Sequence, residues 1–153
     1  MNIELSKQVM EHMTKMKSKA IKAGHQLTAF NIQPRLDETS TPDEVSDRLC
    51  TSLRYGRYHL RKFGIEHYGI ITIDPMPNGL PQAFIFIYTP PHRDYEHLKI
   101  IFDFAFILDG FNLSRIPPEL NEPKNTQEDF ERASLWANTY RIRRHRFFGN
   151  IHN

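Results

Sequence analysis

Cysteine is almost missing from this chain: Cys50 is the single one in 153 residues. That excludes an intramolecular disulfide framework and any zinc site built on several thiolates. Glycine is sparse, at 7 residues, and nowhere forms a phosphate-cradling loop; G-x-S-x-G and C-x-x-C are both missing. No apolar run is long. The longest, Ile100 to Leu108, is broken by Asp103 and falls far short of a membrane span. The first residues, Met1 to Lys7, carry charge where a signal peptide needs an apolar stretch. Internal repeats and low-complexity tracts are also missing. What is present, 39% hydrophobic and 25% charged residues, with a mean hydropathy of -0.56, belongs to an ordinary globular chain. These features predict a cytoplasmic protein of one domain, residues 1–153, with no metal, no cofactor and no membrane partner.

Residues Ile3 to Ala23 read as an amphipathic helix, because Val9, Met13, Met16, Ala20 and Ala23 recur at steps of three and four and Gly24 supplies a stop. Gln26 to Gln33 reads as a strand ended by Pro34. Thr41-Pro42-Asp43-Glu44 is a helix start in which Thr41 caps, Pro42 takes the first turn and Glu44 closes a capping box. That helix is expected to run to about Phe63, bury Val45, Leu49, Leu53 and Leu60, and stop at Gly64. His67 to Asp74 and Gln82 to Thr89 alternate with period two, and the segment between them carries Asn78-Gly79, a hairpin signal. Asp94 to Asp109 fits either period; its length favours a helix, with Ile100, Ile101, Phe104, Ile107 and Leu108 on one face and Gly110 as its stop. Phe111 to Ile116 reads as a short strand. Thr126 is expected to cap a last helix that runs to about Phe147.

The order predicts an α+β fold. Residues 26–116 give strand, helix, strand, strand, helix, strand: the ferredoxin-like split βαββαβ core with an antiparallel sheet and an Asn-Gly hairpin. An N-terminal helix, residues 1–24, and a C-terminal helix, residues 126–147, decorate it.

Charge is unevenly placed although the formal net charge is only +2. Residues 1–24 hold five lysines against Glu4 and Glu11, and 35–48 and 119–131 are acidic. Two blocks hold no acid: Arg54, Arg57, Arg61 and Lys62, interleaved with Tyr55 and Tyr58, and Arg141, Arg143, Arg144 and Arg146 beside Tyr140, Phe147 and Phe148. Arginine forks onto phosphate and an adjacent aromatic ring stacks on a base, so the pair of blocks points to nucleic acid. Solvated charge is the plainer reading of each block alone, the first pairing with Asp43 or Asp47 and the second lying at its own helix C-terminus. Phe84, Phe86 and Tyr88 share one strand face and offer a stacking platform or a partner surface. The ribonucleoprotein signature is not there, since Pro81, Gln82 and Ala83 stand where its basic residue and glycine belong. A terminal helix covering that face is the simpler expectation.

Candidate chemistry is thin. His92-Arg93-Asp94-Tyr95-Glu96-His97 is dense in polar groups but matches no zinc spacing. Glu66, His67 and Asp74 flank one strand, with His67 and Asp74 on opposite faces. Cys50 falls among Leu49 and Leu53 and reads as an inert thiol. No catalytic residues are assigned. The composition and motifs favour a nucleic-acid-binding accessory or regulatory protein. The alternatives are a protein-interaction module or inhibitor, homodimeric in one version, and a small metal-independent nuclease or phosphoesterase.

Overall fold

The computed structural model describes residues 3–91, 95–116 and 127–149. Helix α1 (Ile3–Ala23) leads into β1 (Gln26–Pro34), α2 (Pro42–Lys62), β2 (Tyr68–Pro75) and β3 (Pro81–Thr89). Then come α3 (Tyr95–Phe102), which continues as a π turn over Asp103–Ile107, β4 (Phe111–Arg115), α4 (Gln127–Tyr140) and β5 (His145–Gly149). The fold is α+β. Its five strands form one sheet in the order β4-β1-β3-β2-β5, every neighbouring pair antiparallel. Strands β2 and β3 pair from Tyr68 opposite Tyr88 to Pro75 opposite Pro81. Between them Gly79 N–H donates to the Met76 carbonyl at 2.9 Å and Met76 N–H to the Leu80 carbonyl at 2.8 Å, a three-residue loop with Gly79 at φ 85°.

Alternation along the strands sends side chains to two cores. Phe30, Ile32, Ile71, Ile73, Ala83, Ile85 and Ile87 face α2, α3 and the π turn, with Ala137 and Trp136 of α4 closing the same side. Ala29, Tyr68, Ile70, Phe86 and Tyr88 face α1, which covers them with Val9, Met16 and Ala20. The methionine-bearing face of α1 is therefore core, although Ala23 at its end is exposed.

Three expectations change. Thr41 occupies the N-cap position, but its hydroxyl makes no cap bond to the backbone and donates instead to the Glu44 carboxylate at 2.7 Å. In α3 and the π turn the buried face is Leu98, Ile101, Phe102, Ala105 and Phe106, while Ile100, Phe104, Ile107 and Leu108 point outward. The last helix ends at Tyr140, not near Phe147, and the chain re-enters the sheet as β5 along β2. Ile142 N–H closes back on the Ala137 carbonyl at 2.8 Å with Arg141 at φ 58°, and Ile142 packs beside Ala137 in the core. The turn before Pro42 is held by charge. The cap expected at Thr126 and the residues His92 to Asp94 lie outside the described residues.

Glu38 is the anchor of that turn. It accepts from Ser40 N–H at 3.0 Å and from Arg48 at 2.8 Å, and Arg48 also donates to the Asp109 carbonyl at 2.9 Å. Hydrogen bonds from Ser40 foremost, and then Arg48, hold the Glu38 carboxyl at about 2, against the opposing effect of burial. A carboxyl depressed on folding adds stability that is present above its ordinary value and lost as pH falls toward the folded one. Glu38→Gln is therefore expected to cost about 1 kcal/mol at pH 7, as a partly exposed pair does. Urea melts repeated at falling pH should show the gap to the parent closing between the ordinary value of 4.5 and about 2. A gap that stays constant over that range would show that Glu38 acts through packing instead.

Candidate functional site

Helix α2 buries Val45, Leu49, Leu53 and Leu60 against the sheet, which turns Arg54 and Arg57 toward the sheet edge formed by β5. On β5 the side chains alternate: Phe148 enters the α2-side core while Phe147 packs on the α1 side, its ring stacked on His12 at 3.8 Å. Between the two elements lies a recess of about 270 Å³, lined by Cys50, Leu53, Arg54 and Arg57 from α2 and by Arg143, Arg146, Phe147 and Phe148 from the C-terminal strand and its lead-in. The two acid-free blocks of the sequence thus meet at one place.

Each guanidinium has a distinct setting. Arg54, Arg143 and Arg146 are exposed at the rim, and among the described residues none of them is in an ion pair. Arg57 is half-buried; its Nε–H donates to His67 Nε2 at 3.3 Å, and its guanidinium lies 5.2 Å from the Phe148 ring centroid. Because Arg57 can only donate, His67 must carry its proton on Nδ1, which then donates to the Ile65 carbonyl at 3.0 Å. Burial, with Arg57 and Arg61 as lesser causes, pushes the His67 pKa down despite the Ile65 carbonyl, so the ring stays neutral. Burial first and Arg61 second also work against the charge on Arg57. An anion entering the recess would relieve that crowding.

Not all the expected residues gather here. Arg61, Lys62 and Tyr58 are exposed on α2 beyond the recess, and Arg141 is exposed at the end of α4. Arg144 is a correction: it is buried, its Nη2 donating to Asp74 Oδ1 at 2.6 Å, and so belongs to the interior and not to a binding face. It stands one residue before β5, where the chain passes Asp74 of β2, a placement that a helical reading of the segment hid. The platform of Phe84, Phe86 and Tyr88 is a second correction, since α1 covers it and leaves Phe86 and Tyr88 buried.

No family model, curated protein or solved structure matches the chain.

The hydrolytic combination does not assemble. His67 is committed to Ile65 and Arg57, whereas Asp74 is engaged by Arg144 and by the Thr72 hydroxyl at 3.3 Å. Cys50 borders the recess, but burial foremost pushes its thiol pKa up; Asp47 adds to this and the arginines Arg146, Arg54 and Arg143 oppose it. Among the described residues no group of three or more His, Cys, Asp or Glu is placed to hold a metal ion, and no helix is long and apolar enough to cross a membrane. Sequence reasoning named Phe148 only as a neighbour of the second arginine block and missed His67 as part of the site. The signal for Phe148 was the period-two run His145 to Gly149; for His67 there was none, because its partner lies across the fold.

Proposed function

We propose that the protein is a small nucleic-acid-binding accessory or regulatory protein whose contact site is the arginine recess between α2 and β5. The observation that carries this reading is the convergence of Arg54 and Arg57 with Arg143 and Arg146, from segments far apart in the sequence, on one cleft. Like charges crowd together at some energetic cost, and a polyanion that neutralises them offsets it. The same reading takes the chain as one domain, with β1 to β4 as a ferredoxin-like split βαββαβ core whose Asn78-Gly79 hairpin joins β2 to β3. Strand β5 adds the wall that carries half of the site.

Fluorescence anisotropy with labelled single-stranded and duplex oligonucleotides tests it. If four phosphates are neutralised, log affinity should fall with log salt at a slope of about −3.6 for duplex or about −2.8 for a single strand. Arg54→Glu with Arg143→Glu is expected to weaken binding at least about tenfold and to flatten the slope by about two phosphates, since each lost cation releases fewer counterions. Both side chains are exposed, so the melting temperature should hold. Salt-independent binding, or none at low salt, would overturn the proposal.

A second reading, a protein-interaction module that dimerises or inhibits, draws on a different surface. Ile100, Phe104 and Leu108 form an outward stripe on α3 and the π turn, at 55%, 61% and 78% exposure. Concentration-dependent elution on a sizing column, abolished by Phe104→Lys, would favour it.

A further inference from the structure

We propose that the recess selects single-stranded over duplex nucleic acid, holding a backbone phosphate between its arginines while a base stacks on Tyr58 outside it; this rests on the nucleic-acid reading above. The first support is the way the basic stripe is placed. A helix that reads duplex DNA must project bare into a major groove about 12 Å wide. Here Arg54 and Arg57 form one wall of a cleft, and Arg143, Arg146 and Phe148 form the other. A duplex would rest on the rim and leave Arg57, half-buried and held by His67, out of reach. A flexible single strand can lower one phosphate between the two walls.

The second support is where free aromatic faces lie. Inside the cleft none is open: Phe147 is stacked on His12 and Phe148 lies under Arg57. The cleft therefore reads charge and not bases. Outside it, Tyr55 and Tyr58 are each 54% exposed on α2, with Tyr58 one helical turn from Arg54. Both meet His59 edge-on, at 4.5 and 5.2 Å between centroids. An exposed ring beside a phosphate site is useful only to a base whose face is open, and a duplex hides those faces within its own stack. Arg61 and Lys62 extend the charge past Tyr58 toward the end of α2, so a strand leaving the cleft meets cation, ring and cation in turn.

The test compares a labelled oligo-dT strand with a blunt duplex of equal length, at one fixed moderate salt concentration, on the intact chain. The single strand is expected to bind at least about tenfold tighter. Tyr58→Ala should weaken the single strand about fivefold or more, the usual scale for one lost base stack, and leave the duplex unchanged. Tyr58→Phe should bind as the parent does, because stacking needs the ring and not the hydroxyl. Equal affinity for the two probes, or an equal loss for both with Tyr58→Ala, overturns strand selection while leaving nucleic-acid binding in place. No binding of either probe at low salt overturns both.

Discussion

Asp74→Ala is expected to remove about 3 kcal/mol of folding stability, the low end of what breaking a buried ion pair costs. The asymmetry of the pair sets the size. The Arg144 side chain is only 2% exposed whereas that of Asp74 is 27% exposed. Deleting the carboxylate therefore takes the Asp74 charge away from a guanidinium held out of water, and the Ser134 hydroxyl that Nη1 meets at 3.5 Å is neutral. Arg144 also anchors β5 through its backbone, since its carbonyl accepts from Ile73 N–H at 2.7 Å. Adding Arg144→Met to the same chain should restore most of the loss, because a packed apolar side chain of similar length needs no partner. Urea melts of the single and double variants measure both quantities. A loss under about 1 kcal/mol for Asp74→Ala, the size of a surface pair, or a double variant no better than the single, would show that Arg144 is solvated in some other way.

The parts of the fold legible in the sequence were those whose signals are local. The ends of α1 and α2 were placed by Gly24 and Gly64, which close the helices through His25 N–H to Ala20 and Ile65 N–H to Leu60. Helix α4 closes in the same geometry, but the residue at positive φ is Arg141. Glycine adopts that conformation at little cost and arginine does not, so the expectation ran on through Arg144 to Phe147 and lost β5. That one error hid how the two arginine blocks meet. Read as helix, Arg141, Arg143, Arg144 and Arg146 point in four directions; as a strand and its lead-in, Arg144 turns inward while Arg146 turns to the cleft and Arg143 joins it. The aromatic strand face had the opposite history: Phe86 and Tyr88 look like a platform in isolation, and only the packing of α1 decides that they are core. The pairing of His67 with Arg57 is a tertiary contact between a helix and the start of a strand, and no periodicity announces it.

Gly69 should be the least replaceable residue of β2. It sits between Ile87 of β3 and Phe148 of β5. A Cβ built there would fall inside the van der Waals reach of the Phe86 carbonyl oxygen, and would stand 3.0 Å from both the Ile87 Cα and the Phe148 Cζ. An exchange of glycine for alanine in a strand ordinarily gains about 0.5–1 kcal/mol from reduced chain entropy. At this position overpacking should reverse the sign and cost about 2–3 kcal/mol for Gly69→Ala, more for Gly69→Val. The two contacts differ in kind. The Phe148 ring can shift by a few tenths of an ångström, whereas the Phe86 carbonyl is fixed in the β1–β3–β2 ladder. Shortening the ring with Phe148→Leu in the Gly69→Ala background is therefore expected to recover little, and the double variant should lose the Phe148 packing as well. Calorimetric melting of the three variants decides the matter. Full recovery in the double variant would place the clash in the ring and leave the backbone of β2 free to accept a side chain. Without it, Gly69 is what lets β2 lie flush against the Phe86 and Ile87 backbone of β3, and so holds in place the strand along which β5 brings Phe148 beneath Arg57.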